Sequence, residues 1–408
     1  MPSATPPSAD PPADDALPLA GLKVLDFTRV LAGPFCTAML ADAGAEVLKV
    51  EPFEGDDYRH MGFQVQGRST NFGFVNRGKK SLCINLKHPQ AAEVVARLAR
   101  WADLALENFK PGVADRLGIG YERLSAINPG LVYCSISGFG QTGEWASRPA
   151  YDVVIQALSG LMAATGDAEG TPFVVGESIA DVSAGMFAAW GVMAALWQRQ
   201  RTGRGRHLDV AMYDGLMSMM PTLVSRVVVG GTRCERVGNR HLNSAPFGAF
   251  RAADGMFVLA VANNKLFAQL ALALGDPALA EDPRFVNNQS RKRHEAELQA
   301  VIESWSRAKS VREVVAALEA QDVPVAPVLD VAQSIAEGPA RSRGLVRLHD
   351  LGQGAQACHI EQPVRFGTLP RGGSAPAPAL GAHTREILHL LGYGAAEIEA
   401  FAHQELIA

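Results

Sequence analysis

Short apolar segments alternate with helical segments along the first part of this chain of 408 residues. The segments "GLKVLDF", "AEVLKVE", "SLCINL", "DLALENF" and "LVYCSIS" have the length and apolar content of buried strands. The segments between them, such as "AGPFCTAMLADAG" and "PQAAEVVARLARW", are typical of helices. Because alternation of this kind builds β-α-β units, we predict an α/β fold with a parallel sheet and helices on both faces.

The chain changes character after these segments. A helix-rich centre includes "YDVVIQALSGLMAATG" and "YDGLMSMMPTLVSRVVV", and near Gly230 the sequence becomes loop-like. The segment "FGAFRAADGMFVLAVAN" predicts a hairpin that turns at Ala253-Asp254-Gly255, and charged amphipathic helices follow over 289–307 and 310–321. The tail adds a few strands and the helices "AHTREILHLLG" and "AAEIEAFAHQEL". We therefore predict a disordered lead-in over 1–17, a large domain over 18–227, a small α+β domain over 228–330 and a return to the large domain over 331–408.

Charge and the first residues argue against several classes of partner. The net charge is −4, which gives no attraction to nucleic acid or to an anionic membrane surface. The opening segment, "MPSATPPSADPPADDALPLAG", is Pro-rich and acidic, without the basic start and apolar core of a secretory signal. It also has no Arg, which makes it a poor transit peptide. We expect a cytoplasmic protein.

The cysteines give no sign of a structural framework. They are widely separated and form no C-x-x-C motif, which argues against disulfides and against a zinc or other metal site. Most of them stand in apolar runs, as buried thiols do. They are Cys36, Cys83, Cys134, Cys234 and Cys358.

One carboxylate, Asp181, stands directly before a run without charged side chains, Val182 to Trp197. The run contains Gly and many Ala, so we interpret it as a buried helix rather than a membrane span. By residue type alone, Asp181 is better explained as an N-cap, which accepts hydrogen bonds from the free N–H groups of a helix start. The same place also suits a nucleophile, because the helix dipole favours the ionised carboxylate and an unperturbed Asp is ionised at pH 7. Both interpretations stay open on the residues alone.

The first β-α-β unit does not carry a nicotinamide fingerprint. An acidic residue, Glu51, ends the second strand, as that fingerprint requires. The turn "TRVLAGP", however, has one glycine where G-x-G-x-x-G needs three. A strand-to-helix turn of this kind can still bind an anion through its free N–H groups.

Several blocks of the chain, in order, resemble the class III CoA-transferase family, also called the CaiB/BaiF type. The blocks are "LKVLDFTRVLAGPFCTAMLADAGAEVLKVE", "NRGKKSLCINLKHP", "ENFKPGVADRLGIGYERLSAINPGLVYCSISGFGQTG", "RTGRGRHLDVAMYDG" and "LGAHTREILHLLGY". The similarity runs from about residue 18 to the end. The segments "AYDVVIQALSGLMAATG" and "GNRHLNSAPFGAF" are most similar to the branch that uses succinyl-CoA and dicarboxylic acids.

The resemblance implies a fold and a partner. The fold is a Rossmann-like large domain with a parallel sheet built from both chain ends, together with a smaller domain. The partner is a second copy of the chain, threaded through the first as an interlocked homodimer. No cofactor is bound permanently, and coenzyme A enters as the thioester substrate together with a carboxylic acid.

The resemblance also implies site residues. Asp181 matches the nucleophilic aspartate, which would form an anhydride with the acyl group and then a thioester with CoA. The residues that match CoA contacts are Val30, Leu31, Ala32, Ile84, Asn85, Lys87, Asn108, Phe109, Lys110, Arg116 and Tyr151. Arg240 and His241, in the loop "GNRHLN", could pair with a second carboxylate of the acid.

The expected activity is CoA transfer from succinyl-CoA to a dicarboxylic or hydroxy acid. Leu31 stands where formyl-CoA transferase has glutamine, which weighs against formyl-CoA and oxalate as substrates. A 2-methylacyl-CoA racemase is an alternative, but it needs a histidine before an aspartate, where this chain has Tyr151-Asp152. A non-catalytic CoA-binding paralogue is a further alternative, although such a protein has no need of Asp181.

Overall fold

The structure is a computed structural model that describes residues 16–233, 235–352, 354–369 and 375–408. Most of the predicted lead-in, Cys234 and the first part of the loop "PRGGSAPAPALG" lie outside the described residues. The chain divides into two compact units. The first comprises the described parts of Met1–Ser159, Gly176–Val224 and Arg341–Ala408, and the second those of Gly160–Val175 and Ser225–Ala340.

The strands of both units are numbered in chain order. They are β1 (Lys23–Asp26), β2 (Glu46–Glu51), β3 (Gln64–Val65), β4 (Arg68–Ser69), β5 (Lys80–Cys83), β6 (Leu104–Glu107), β7 (Val132–Ser137), β8 (His207–Ala211), β9 (Phe247–Arg251), β10 (Met256–Ala260), β11 (Val325–Pro327), β12 (Val346–Gly352) and β13 (Ala355–Ile360).

The α-helices are numbered in the same way. They are α1 (Ala32–Asp42), α2 (Thr70–Asn76), α3 (Ala91–Trp101), α4 (Val113–Arg116), α5 (Tyr121–Ile127), α6 (Asp152–Ser159), α7 (Leu161–Ala164), α8 (Ile179–Thr202), α9 (Met212–Ser218), α10 (Pro221–Val228), α11 (Asn264–Ala273), α12 (Asn288–Arg293), α13 (Glu295–Ser306), α14 (Val311–Glu319), α15 (Val331–Ala336), α16 (Gly338–Ser342), α17 (Thr384–Leu390) and α18 (Ala395–His403). Short 3₁₀ helices cover Asp57–His60 and Pro277–Ala280.

A parallel sheet of six strands forms the centre of the first unit, in the order β5-β2-β1-β6-β7-β8. The α/β prediction is confirmed, and the five predicted strands are β1, β2, β5, β6 and β7. The sixth strand, β8, was not predicted. It forms the edge of the sheet and its sequence "HLDVA" is partly exposed, so it lacks the apolar run of a strand buried on both faces.

Both chain ends contribute to the first unit. The six strands of the parallel sheet all come from residues 23–211, so the expectation that this sheet is built from both chain ends is wrong. The C-terminal residues instead add α17, α18 and the β12–β13 hairpin. Ile407 forms an isolated bridge with Ile84, directly after β5. Leu388, Ile398 and Leu406 lie in the same buried cluster as β1 and β2. The last residues of the chain therefore complete a core that its first strands begin.

The second unit has a three-stranded antiparallel sheet in the order β11-β10-β9. The predicted hairpin is confirmed: β9 and β10 pair, and the Ala252 N–H donates to the Gly255 carbonyl oxygen at 2.9 Å. The helix predicted over 289–307 is wrong as one element, because the chain leaves helical geometry at His294 between α12 and α13. The unit takes in Gly160–Val175 as well as Ser225–Ala340, whereas the predicted small domain spans 228–330.

Helix α8 packs against α1 and β7 in the first unit. It ends at Gly203, whose φ of 68° is a left-handed conformation that glycine adopts without strain. By length and composition alone α8 could cross a membrane, but half of its most apolar stretch is buried inside the protein. The other part of its surface carries exposed apolar side chains, among them Trp190 and Trp197.

Candidate active site

The turn between β1 and α1 lies at the carboxyl end of the parallel sheet, where open α/β sheets bind their ligands. The side chain of Asn108, which follows β6, holds this turn from two sides. The Arg29 N–H donates to Asn108 Oδ1 at 2.7 Å, and Asn108 Nδ2 donates to the Arg29 carbonyl oxygen at 2.8 Å. The turn that carries the predicted contacts after β1 is therefore tied to Asn108, the first predicted contact after β6.

The first turn of α8 places Asp181 inside the helix rather than at its cap. The N-cap is Ser178, and the helix begins at Ile179. The Ala180 N–H, which a capping side chain would bind, donates to Asp152 Oδ1 at 2.6 Å. The interpretation of Asp181 as the N-cap is therefore wrong, because Asp152 from α6 supplies the acceptor.

The protonation of Asp181 also differs from the expectation. Burial, followed by the negative charge of Asp152, raises the pKa of Asp181 to about 7. The expectation of a fully ionised carboxylate at neutral pH is therefore wrong. A carboxyl group with this pKa is divided between its acid and its carboxylate near pH 7.

Asp181 lines a cavity of about 390 Å³, here called the Asp181 cavity. The predicted contact residues that line it are Val30, Leu31, Ala32, Asn108, Phe109, Lys110 and Tyr151. Ser137 and Gly138, at the end of β7, form another wall. The structure thus brings together residues from four separate stretches of sequence around one carboxyl group.

A second cavity of about 580 Å³, here called the Lys87 cavity, shares wall residues with the first. The predicted contacts Ile84, Asn85 and Lys87 line it, and Phe109 lines both cavities. Its remaining wall includes the residues that follow β2, such as Pro52 and Phe53. The common wall residues Arg29, Phe109 and Val113 make the two cavities adjoining parts of one groove.

Three predicted residues line neither cavity. Arg116 is the last residue of α4, the helix whose first residue, Val113, lines both cavities. Arg240 belongs to the second unit, where its guanidinium donates to the Ala249 carbonyl oxygen at 3.0 Å. His241 belongs to the same unit, and its Nδ1 accepts from the Asn243 N–H at 3.2 Å.

Two cations of the Asp181 cavity were not predicted. Arg29 forms an exposed ion pair with Asp57 at 3.5 Å. Arg148 lies over the ring of Trp145 at 4.3 Å and forms no salt bridge within the described part of the chain. A basic residue in a loop has no periodic signal, so the sequence alone could not distinguish Arg148 from an ordinary surface charge.

The start of α1 lies at the same cavity. The first N–H groups of a helix have no acceptor within the helix, and the positive end of its dipole lies there. Ala32, the first residue of α1, lines the Asp181 cavity, and its neighbour Gly33 packs on Thr28. A Cβ at Gly33 would lie 2.3 Å from the Thr28 Cβ, so only glycine lets the helix begin this close to the turn.

The fold and the site together define an α/β enzyme with a buried carboxyl group in a groove beside helix N-termini. The family model described as CoA-transferase family III matches residues 19–384. Acetyl-CoA:oxalate CoA-transferase of Acetobacter aceti is 44% identical over 79% of this chain and 84% of its own. Succinate–glutarate CoA-transferase of Agrobacterium fabrum is 35% identical over 91% of this chain and 95% of its own. A crystal structure of a CaiB/BaiF family protein from Brucella suis is 36% identical, with a TM-score of 0.82, over 92% of this chain and 99% of that one.

The chain belongs to CoA-transferase family III. It is an acyl-CoA:carboxylate CoA-transferase of that class. The resemblance proposed from the sequence is confirmed, including its succinyl-CoA-dependent relatives.

Proposed function

We propose that this enzyme transfers CoA from succinyl-CoA to a dicarboxylic or hydroxy acid and that Asp181 carries the acyl group and then CoA. The observation that carries the proposal is the position of Asp181. It stands in the first turn of α8 and shares one cavity with the start of α1 and with seven predicted contact residues. A carboxyl group with a raised pKa in a cavity supports a functional role for Asp181.

In the first half of the reaction, an Asp181 carboxylate oxygen attacks the carbonyl carbon of the acyl-CoA thioester. The C–S bond breaks, which gives an anhydride between the acyl group and Asp181 together with CoA thiolate. The thiolate then attacks the Asp181 carbonyl carbon, and the donor acid leaves as its carboxylate. Asp181 now holds CoA as a thioester.

In the second half, the acceptor carboxylate attacks the carbonyl carbon of this aspartyl thioester and releases the thiolate. The resulting anhydride joins the acceptor to Asp181. The thiolate attacks the acceptor carbonyl carbon, forms the new acyl-CoA and restores the Asp181 carboxylate. No proton is gained or lost over the cycle, so no general base is required.

Each of these steps passes through an oxyanion. The N–H groups at the start of α1 are the donors we assign to it, since Ala32, the first residue of that helix, lines the same cavity as Asp181. Removal of one such donor typically costs about 3–4 kcal/mol of transition-state stabilisation. For Arg240 and His241 we propose pairing with a second carboxylate of the acid, which Arg240→Ala tests in the substrate screen.

The cations of the Asp181 cavity favour an acid with a second carboxylate. Arg148 offers a planar, bidentate donor, and Lys110, which lines the same cavity, offers a point charge. Both named relatives use dicarboxylic acids, oxalate in one and glutarate in the other. Leu31 weighs against oxalate, whereas the relative from Acetobacter aceti uses it, so oxalate belongs among the acids to be examined.

The Lys87 cavity is our proposed place for the phosphate and adenine end of CoA. Lys87 and Arg29 provide positive charge, and Phe53 and Phe109 provide flat apolar surface. The thioester end would then extend through the common wall toward Asp181. Arg116, on α4 beside this groove, is a further proposed phosphate contact.

We also propose that two copies of the chain form the functional homodimer. One face of α8 exposes Trp190 to 73% and Trp197 to 64%, along with Met186, Phe187 and Met193. Burial of such a face would remove a large apolar area from water. A second copy is the occupant that the family resemblance implies.

The decisive experiment traps the covalent enzyme. Wild type and Asp181→Ala are each mixed with succinyl-CoA, quenched with hydroxylamine and digested for mass spectrometry. We expect a hydroxamate on Asp181 in the wild type and none in the variant. A hydroxamate on another residue, or undiminished transfer by Asp181→Ala, would refute the mechanism.

A substrate screen tests the acids. Wild-type enzyme is incubated with succinyl-CoA or acetyl-CoA together with oxalate, glutarate or a monocarboxylic acid of equal length. The CoA products are identified by mass spectrometry. We expect transfer to dicarboxylic acids and at least about a tenfold loss of that preference in Arg148→Ala, because a lost charged hydrogen bond of this kind is worth about 1.5–3 kcal/mol. Arg240→Ala is the corresponding variant for the loop that contains Arg240 and His241. Equal rates with monocarboxylic and dicarboxylic acids would contradict the assignment of Arg148.

Deuterium exchange at the α-carbon of 2-methylacyl-CoA without any acceptor would favour the racemase.

A further inference from the structure

The turn that carries the proposed CoA contacts has a backbone conformation that valine disfavours. Val30 has a φ of 63°, in the left-handed region. The other described residues with positive φ and a side chain are Gln66, Asp322 and Glu405, none of which is β-branched. For a β-branched residue this region is a clear outlier, and it persists only where the surroundings enforce it.

A buried aspartate holds Val30 in that conformation. The Val30 N–H donates to Asp56 Oδ1 at 2.9 Å. Asp56 also accepts from the Tyr58 N–H at 3.0 Å and so caps the short helix that follows it. The carboxyl group of Asp56 is thus a fixed point against which the turn is held.

Asp56 is held in turn by Lys49 of β2. Their side chains are fully buried, with Lys49 Nζ 2.8 Å from Asp56 Oδ2. Lys49 Nζ also donates to the Thr28 carbonyl oxygen at 2.9 Å. The ion pair therefore binds the turn at two points: Lys49 donates to the carbonyl oxygen of Thr28, and Asp56 accepts from the N–H of Val30.

A second buried ion pair lies beneath the same turn. Lys79 Nζ is 2.8 Å from Asp26 Oδ2, and the Thr28 N–H donates to Asp26 Oδ1 at 2.9 Å. Two buried carboxylates and two buried ammonium groups balance in charge. Buried ion pairs contribute little to stability compared with apolar packing, so their presence here favours a role in shaping the turn.

We propose that Asp56 is a positioning residue, which together with Lys49 holds Val30 in its left-handed conformation so that Val30 to Ala32 face the Asp181 cavity. This inference rests on the proposed function of that cavity. Without the ion pair, Val30 would relax to a negative φ. The relaxation would rotate the N–H groups of Leu31 and Ala32 away from the reacting carbonyl.

The test replaces the ion pair as a unit. In Asp56→Ala/Lys49→Met no buried charge is left unpaired, so the fold is retained. We expect its kcat for CoA transfer to fall by at least about tenfold, a part of the roughly hundredfold effect of removing a transition-state donor outright, with a smaller change in the KM for succinyl-CoA. Asp56→Asn, which keeps an oxygen acceptor but loses the charge, should give a smaller loss.

Glycine at position 30 distinguishes positioning from general destabilisation. Glycine adopts positive φ without strain. The factor by which Val30→Gly changes kcat should therefore be about 5- to 30-fold larger in the Asp56→Ala/Lys49→Met background than in the wild type. Asp322→Gly, which relieves a left-handed residue of the second unit, should give no such gain. An equal effect of Val30→Gly in both backgrounds would overturn the proposal.

A matched ion pair controls for the loss of buried charge. Arg77 and Asp42 form another buried pair, away from the turn, at the C-terminal end of α1. We expect Asp42→Ala/Arg77→Met to keep kcat within about threefold of the wild type. Loss of this ion pair can lower the stability of the protein, but it does not reorient the turn.

A measurement without substrate separates this inference from the proposed function. Amide hydrogen exchange of residues 27–35 should be faster in Asp56→Ala/Lys49→Met than in the wild type, and unchanged in Asp42→Ala/Arg77→Met. Unchanged exchange in the first variant would overturn the positioning role. If no acid accepts CoA, the proposed function fails, and the exchange data still decide whether Asp56 holds the turn.

Discussion

At the scale of single residues, burial and a neighbouring charge decide the state of Asp181. Its place in the first turn of α8 favours the carboxylate, since the helix dipole is positive there. Burial and the charge of Asp152 act in the opposite direction and dominate, which raises the pKa to about 7. The nucleophile is therefore in balance between an unreactive acid and a reactive carboxylate at neutral pH.

This balance predicts a pH profile. Because the attacking form is the carboxylate, kcat should rise about tenfold per pH unit below pH 7 and level off above it. Asp152→Asn keeps the oxygen that accepts from the Ala180 N–H and removes the negative charge, so the midpoint should move to lower pH. The measurement is kcat between pH 5 and pH 9 for both proteins. A flat profile across this range, or an upward move of the midpoint in Asp152→Asn, would contradict the assigned pKa.

At the scale of elements, the approach of α8 to α1 aligns the nucleophile with the donors. Gly185 lies one helical turn after Asp181 and faces the first residue of α1. A Cβ at Gly185 would lie 2.7 Å from the Ala32 carbonyl oxygen, a backbone atom that cannot move aside cheaply. Glycine at this position therefore sets the distance between the two helices.

Substitution of this glycine should reduce both stability and activity. We expect Gly185→Ala to lower the free energy of unfolding by about 1–3 kcal/mol, as overpacking does, and to lower kcat with it. Gly191→Ala is the matched control in the same helix, because its Cβ would meet only Leu208 Cδ1, at 3.8 Å. There the gain in helix propensity should stabilise the protein by up to about 1 kcal/mol. Denaturant unfolding and steady-state rates of the two variants are the measurements. If Gly185→Ala is as stable and as active as Gly191→Ala, the packing of α8 on α1 is loose.

At the scale of the whole molecule, the two ends of the chain meet in the first unit while the second unit is inserted between them. The bridge between Ile84 and Ile407 shows that the last residues of the chain pair with the residue that directly follows β5 of the parallel sheet. The same unit leaves the apolar face of α8 exposed. Such a face is unusual for a monomer and is the basis of the proposed homodimer.

A charge on this face should separate the dimer into single chains. We expect Trp190→Asp to sediment as a monomer, because an aspartate buried without a partner in an apolar interface is strongly unfavourable. Leu390→Asp, at a residue of α17 that is 54% exposed, is the control and should leave the assembly unchanged. Sedimentation velocity of both variants and the wild type gives the answer. A wild-type monomer, or a Trp190→Asp dimer, would remove the support for an interface at α8.

The local elements of this protein could be predicted from its sequence, because apolar periodicity is a property of neighbouring residues. The strands β1, β2, β5, β6 and β7, the β9–β10 hairpin and the helix after Asp181 all carry such a pattern. The break at His294 and the edge strand β8 were missed, since each depends on how the chain packs rather than on its period.

The site was predictable only as a set of residues that resemble a family's motifs. The sequence by itself determined which groups are available: a carboxyl group before an apolar helix, and a strand-to-helix turn able to bind anions. Only the tertiary structure decided that Asp152 accepts from the first turn of α8, that Asp181 has a raised pKa, and that Asp56 and Lys49 hold Val30. The physical reason is that desolvation and charge act through space, between residues that the sequence places far apart.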